Sequence, residues 1–355
     1  MDWNRLENRF WRRYQILTGR SFEPVRLRWL PKTLEYHGEF GLELLVFLPF
    51  VRWLSEQGLL RDRTVVTYKG MRPFYGDLDC GQYIERDEKR SFVPPGDRPS
   101  YLPMRDEFSL TAPSPFHSYP DLRTMYRGAP LLQQLEGPIS DKPLLVIHNK
   151  YTNEWNRGPI NYLSLDLIDH LLSNLKDSFT IAYIRHGARE LPTEYTEDEN
   201  DILSYRDLEV IRDHSEVLLF DDLFDEHKMA FPNSNINEFK NALCARSHRF
   251  ITSQGGGAHH LAYFSGSIMS ILHKDGLEEN GAYQNGFYTF LSAPPPLLLC
   301  CCNNSEMTIA SRIIAASNLV GDAISIPPES ASEAEALSPA SLIQRRTMSA
   351  QISTP

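Results

Sequence analysis

The chain lacks most of the features that mark secreted, membrane-spanning or nucleic-acid-binding proteins. Only five cysteines occur among its 355 residues: Cys80, Cys244 and the run Cys300, Cys301 and Cys302. Neither their number nor their spacing builds a disulfide framework or a zinc site. Three consecutive cysteines on a strand alternate sides and cannot converge on one metal. They read as small core residues of a reducing compartment, so a cytoplasmic location is expected. No apolar run reaches the roughly 18 residues that span a bilayer. The N-terminus, MDWNRLENRFWRRYQ, is too charged for a secretory core. Positive charge is also short: 36 Lys and Arg against 46 Asp and Glu leave a net charge of -10. That balance argues against general nucleic-acid binding. Missing too is an early G-x-G-x-x-G with an acid about 20 residues on, which weakens a dinucleotide oxidoreductase reading. No internal repeat stands out.

What is present is an ordinary globular composition, 41% hydrophobic and 23% charged, in a chain long enough for two domains. The spacing predicts a first domain over 1–140 and a second over 141–325, with the boundary in GPISDKPL (137–144). Residues 326–355 are rich in Ser, Ala, Pro and Glu, and are expected to form a disordered tail. Trp3, Leu6, Phe10 and Trp11, ringed by Arg5, Arg9, Arg12 and Arg13, fit a basic amphipathic helix. Such a helix packs on the domain or docks peripherally on a membrane surface.

The second half alternates strands and helices. Strands are expected at Leu144–His148, Phe179–Ile184, Val217–Phe220, the approach to Ser253, and 268–272. Helices are expected through Leu163, Leu167, Leu171 and Leu175, at 206–213, after Asn235, and near 306–317. That alternation predicts a parallel sheet covered on both faces. In the first half, Thr33–Tyr36 and Arg63–Tyr68 flank a helix that Pro49 kinks and Gly58 ends. Residues 70–135 show no clear period.

The richest stretch is RFITSQGGGAHHLAYFSGSIMSIL, 249–272, which reads as strand, glycine turn, short helix and strand. Gly255, Gly256 and Gly257 let backbone N–H groups approach an anion at the start of a helix; the alternative is a tight connection with no ligand. In open parallel sheets ligands lie beyond the carboxyl ends of the strands. The polar strand ends expected there are His148-Asn149-Lys150, Arg185-His186, Asp221-Asp222 and Ser253-Gln254. Arg185 suits a diphosphate because a guanidinium binds two oxygens at once, unless it pairs with an acid of 194–201. His273, Lys274 and Glu278 follow the next strand and suit a ribose or base, or else form a solvated loop.

A second motif, HGEFGLE (37–43), places Glu39 and Glu43 four residues apart on one face of a starting helix. One of them is a candidate general base, with His37 beside it, or both serve only the helix end. Three other features carry less. Asp77-Leu78-Asp79 lacks the hydrophobic strand that a metal-binding acidic pair should follow. Asp221, Asp222, Asp225 and Glu226 read as a solvated loop. His259-His260 lacks the i, i+4 spacing of a helical metal pair, so at least one is expected to pack or cap.

Taken together, Ser253, Gly255, Gly256, Gly257, His273, Gly276 and Glu278 resemble the donor half of GT-B glycosyltransferases, with fucosyltransferase-like and polysaccharide-building families nearest. Gly38, Glu39, Gly41 and Glu43 resemble the first loop and helix of their acceptor half. The resemblance covers roughly 33–70 and 142–320. It implies an α/β protein of two Rossmann-like domains facing across a cleft, with a terminal helix, here 306–317, crossing back. It implies a nucleotide-sugar donor (GDP-, UDP- or similar) and a glycan acceptor, with no cofactor and no metal. An inverting transfer would use Glu39, then Glu43, as base. The alternatives are a nucleotide-sugar epimerase of the same fold and a non-catalytic nucleotide- or carbohydrate-binding module.

Overall fold

The computed structural model describes residues 30–90, 99, 101–102, 114–129, 142–153, 158–185, 202–275 and 286–342. The N-terminal amphipathic segment, His186, the acids of 194–201, Gly276 and Glu278 lie outside the described residues, as does most of 137–144.

Two parallel sheets organise the chain. The first is β1 (Thr33–Glu35), β2 (Thr64–Tyr68) and β3 (Gln82–Arg86), in that order. A helical passage joins β1 to β2: α1 (Phe40–Leu42), a π-helical turn (Glu43–Phe47) and α2 (Leu48–Glu56). Pro49 has no N–H to donate four residues back, and the helix widens into the π turn just before it. Gly58, at φ +69°, supplies the left-handed residue after the helix end. Next come α3 (Arg72–Tyr75), which leads into β3, and α4 (Leu122–Tyr126). These three elements lie in the stretch that showed no sequence period, because each is too short to repeat an apolar spacing.

The second sheet has six strands: β4 (Leu144–Asn149), β5 (Thr180–Arg185), β6 (Leu218–Leu219), β7 (Arg249–Ser253), β8 (Ile268–Leu272) and β9 (Leu297–Cys301). Their order is β6-β5-β4-β7-β8-β9, all parallel. Parallel neighbours need crossovers. These carry α5 (Leu165–Leu175), α6 (Asp207–Arg212), α7 (Phe220–Ala230), α8 (Ile236–Arg246) and α9 (Gly256–Leu261). After β9 come α10 (Asn304–Ala316), a hairpin of β10 (Asn318–Val320) and β11 (Ala323–Ser325), and α11 (Pro328–Ala336). Ser164 caps α5 by accepting from the Leu167 N–H, and Asn235 caps α8 by accepting from Asn237 and Glu238.

Side-chain alternation along the central strands feeds two cores. Val146, Ala182, Phe250 and Met269 face one; Leu145, Ile181, Ile251 and Ile268 face the other. The first core also takes in Leu34, Leu45, Phe47, Phe50, Val65 and Phe74, so the first sheet and its helices pack on one face of the second. Burying a large apolar side chain contributes about 1.5–3 kcal/mol. Polar ties cross the same boundary. Arg123 on α4 donates to the carbonyls of Ser265, Ala245 and Ser247, the last two at the end of α8. Tyr263 donates to Leu44 O in the π turn, and Asn237 Nδ2 donates to Gly70 O.

Three expectations need correction. Residues 328–336 of the expected disordered tail form α11, and Leu337 and Leu342 are buried. Alanine and glutamate favour helix, and the helix rests on α10, which local composition does not reveal. Asp221, Asp222, Asp225 and Glu226 lie on α7, not in a loop, because Phe220, Leu223, Phe224 and His227 bury its other face. Finally, α10 does not cross back: Met307, Ala310, Ile313 and Ile314 join the core on the far face of the second sheet, beside α5 and α11. No helix among the described residues is long and apolar enough to cross a membrane.

Candidate functional site

Because each sheet is parallel, all its strand ends with the same polarity lie along one edge. The carboxyl edge of the second sheet carries Lys150 after β4, Arg185 ending β5, the glycine turn after β7 and His273 after β8. The loop after β1 carries His37, Gly38 and Glu39 into α1. The two edges touch. A Cβ on Gly41 would stand 2.7 Å from His259 Nδ1 and 3.4 Å from Gly256 Cα. A Cβ on Gly256 would stand 2.9 Å from Phe40 Cδ1. Glycine at both positions is what lets the two backbones meet.

The three glycines of the turn therefore do different work. Gly257 makes room for the His148 ring, since a Cβ there would stand 2.0 Å from its Cε1. Gly256 makes room for Phe40. Gly255, at φ +137°, faces Lys150, whose Nζ would lie 3.0 Å from an added Cβ. The amides of Gly255, Gly256 and Gly257 donate no hydrogen bond among the described residues. The anion-facing part of the turn is thus its first residue, with the Lys150 ammonium alongside.

Around this seam the buried polar groups are unevenly satisfied. Ser253, ending β7, is 2% exposed and its Oγ has no hydrogen-bond partner among the described residues. His259 is 3% exposed, and neither ring nitrogen has one. Burial, helped by the Lys150 charge, pushes the His259 pKa down to about 3. The Gly41 backbone, which lies against Nδ1, acts in the opposite direction. The ring is therefore neutral at physiological pH. It packs against Phe287 and Tyr288, with centroids at 5.3 and 5.8 Å. By contrast His260 Nε2 sits 2.7 Å from Asn241 Oδ1. Lys240, buried on α8 with its Nζ 5.9 Å from the Phe40 ring centroid, has its pKa lowered to about 8 by burial.

Several expected site residues turn out to serve the fold. Asn149 is fully buried: its Oδ1 accepts from Leu163 N–H, and its Nδ2 donates to Leu163 O and the Tyr183 hydroxyl. It pins the start of the α5 crossover. Arg185, 3% exposed, donates from Nε to Asp207 Oδ2 at 2.5 Å, and Tyr183 donates to the same oxygen at 2.6 Å. Arg185 is thus ion-paired with Asp207 on α6, while the acids of 194–201 lie outside the described residues. Glu43 is also buried. It accepts from the hydroxyls of Thr67 and Tyr75 and pairs with Arg90 Nη2 at 2.7 Å, so it cannot meet an acceptor as a base. Gln254 is buried and accepts from the Tyr288 hydroxyl at 3.3 Å. His273 is buried, and its N–H donates to Cys301 O.

Glu39 and His37 remain at the rim. Glu39 is half-buried and precedes α1; its carbonyl accepts from the Glu43 N–H and the Tyr36 hydroxyl, while its carboxylate makes no helix-capping bond. His37 is exposed, with Nε2 3.3 Å from Glu35 Oε1 and Arg86 Nη1 3.0 Å from Nδ1. Lys274 lies over the Tyr162 ring at 4.6 Å, and Tyr162 meets the stacked pair Tyr151 and Tyr205 edge-on. Asp79 pairs with Arg61 on the surface. No group of three or more His, Cys, Asp or Glu side chains among the described residues could hold a metal ion.

Sequence reasoning missed His259 as a seam residue, having weighed it only as half of a metal pair. It also missed Arg90 and Asp207, whose partners are 47 and 22 residues away along the chain. Comparison with protein-family models, with curated proteins and with solved structures finds no match.

Proposed function

We propose that this protein is a glycosyltransferase that moves a sugar from a nucleotide-sugar donor to a hydroxyl of a glycan or polysaccharide acceptor. In this reading the two sheets are the Rossmann-like halves of a GT-B arrangement, and the seam at Gly41 and Gly256 lies at the base of the cleft. The transfer is inverting and metal-independent. None of the five cysteines is joined in a disulfide, which fits a cytoplasmic setting.

The observation that carries the reading is the meeting of the two carboxyl edges, with Lys150 and Gly255 on one side and Glu39 on the other. The chemistry needs two opposed functions. As the sugar C1–O bond to the diphosphate breaks, negative charge develops on the leaving oxygen. The Lys150 ammonium and the unpaired amides of the turn are aimed where such charge is stabilised. As the acceptor oxygen bonds to C1, its proton must leave, and Glu39 takes it. Arg185 and Glu43 have no part in this scheme, since each is held in a buried ion pair.

The test is thermal shift with GDP, UDP, ADP, TDP and CMP. A nucleotide at 100 times its Kd raises stability by about 2.7 kcal/mol if it binds only the folded state. Lys150→Met should lower that affinity while leaving the melting temperature of the free protein in place. No response to any nucleotide overturns the proposal. NMR of the product's anomeric carbon checks inversion.

A second reading, a non-catalytic nucleotide- or carbohydrate-binding module, draws on the close packing of Phe40 and His148 against Gly256 and Gly257. It predicts ligand binding with no transfer to any acceptor.

A further inference from the structure

The seam holds two buried polar side chains that the fold itself leaves unsatisfied. Ser253 Oγ and both nitrogens of His259 lack partners at 2% and 3% exposure. Buried polar groups in folded proteins are nearly always paired, because an unpaired one forfeits its hydration with nothing in return. Elsewhere along the same strand ends this fold pairs such groups closely: Asn149 uses both its amide atoms, and Asp207 accepts two hydrogen bonds on one oxygen. Ser253 and His259 belong to one strand–turn–helix unit. The His259 N–H of the backbone bonds Gly255 O, and Gly255 is the residue against Lys150.

We infer that His259 and Ser253 are ligand-contacting residues, each donating a hydrogen bond to a bound anionic group at the Lys150–Gly255 corner. This deepens the proposed function and rests on it for the ligand being a nucleotide diphosphate; the contact itself requires only a polar anion such as pyrophosphate. A neutral imidazole supplies one N–H donor and one acceptor nitrogen. The donor meets a phosphate oxygen, while the Lys150 cation supplies the charge. A neutral ring does this without titrating through the physiological range, unlike an exposed histidine.

The inference separates from a structural role by opposite movement of two readouts. Replacing an unsatisfied buried polar group with an apolar one of similar shape is neutral or stabilising for the fold. His259→Phe keeps an aromatic ring against Phe287 and Tyr288, slightly larger than imidazole, and removes both nitrogens; Ser253→Ala removes the hydroxyl. Each variant is melted without ligand, then titrated with inorganic pyrophosphate and with the nucleoside diphosphates.

The expected result is an unchanged or raised melting temperature with an affinity about tenfold weaker for each variant. His259→Asn, which retains a donor and an acceptor, should recover part of the loss. Melting temperatures that fall by many degrees in both His259→Phe and Ser253→Ala would show that the groups serve the fold, and would overturn the inference. Unchanged affinity in both variants would overturn it too, while leaving the proposed function standing. A wild-type protein that binds pyrophosphate but no nucleotide, with both variants weakened, would uphold the contact and sink the nucleotide-sugar reading. A wild-type protein that binds neither probe overturns the inference.

Discussion

The carboxyl edges of the two sheets are built in opposite ways. At the first, most polar groups pair with one another: Glu43 with Arg90, Thr67 and Tyr75, and Glu35 with Arg86 and His37, while Arg86 Nε and the Tyr83 hydroxyl have no hydrogen-bond partner among the described residues. At the second, the ends of β4 and β5 are closed as well, through Asn149 and through Arg185 with Asp207. The end of β7 and the helix after it are not: Ser253 and His259 are buried with no side-chain hydrogen-bond partner among the described residues, and His259 feels the Lys150 charge. A closed network fixes geometry, and an open one holds binding capacity at some cost to stability. The first edge thus serves as a rigid wall, and the centre of the second as the receptive surface facing it.

The sharpest way to break this comparison is at the rim of the wall. Glu39→Gln should reduce transfer by about 10²–10⁴-fold, as loss of a general base does, with nucleotide affinity unchanged. Equal activity in the variant would remove Glu39 from the chemistry. The next effect falls on the closed network. Arg90→Ala leaves the Glu43 carboxylate buried without its countercharge, so urea unfolding should show a loss of about 3–5 kcal/mol. The double change Arg90→Met with Glu43→Leu should restore much of that, because the cost lies in the unpaired charge. Smaller is Gly257→Ala, where the new methyl meets the His148 ring and the expected loss is about 1–3 kcal/mol.

The smallest effect sharpens the open side. His259 has its folded pKa lowered to about 3, below the ordinary histidine value near 6.5. Between those values the unfolded chain binds the extra proton, so stability is full above about pH 6.5 and is lost as pH falls toward 3. One such group gives a slope of at most about 1.4 kcal/mol per pH unit. In His259→Phe the slope of unfolding free energy between pH 4 and 6 should flatten by up to that amount. An unchanged slope would mean that the ring is not held neutral.

Local signals made much of this molecule legible. The Asn235 cap, the Leu167, Leu171 and Leu175 spacing of α5 and the apolar runs of β4, β5, β7 and β8 each depend on residues within one element. Period and capping reveal such features because they arise from the chain's own geometry. The short elements α3, β3 and α4 escaped, and α11 was mistaken for disorder, since contacts with distant segments decide them. At the site, the glycine run announced a close approach, but not what approaches. Phe40 and the His148 ring fill two of its three places.

By itself, then, the sequence determined an α/β chain with parallel strands, a glycine turn after a late strand, and a cluster of polar strand ends. Those follow from side-chain periodicity and backbone freedom, which are local. Only the tertiary structure decided which polar groups are available. It closed Arg185 on Asp207 and Glu43 on Arg90, pinned Asn149 to Leu163, and left Ser253 and His259 without partners where the two sheet edges meet. Whether a charged or polar group is satisfied depends on neighbours far away along the chain, and no spacing within the sequence records them.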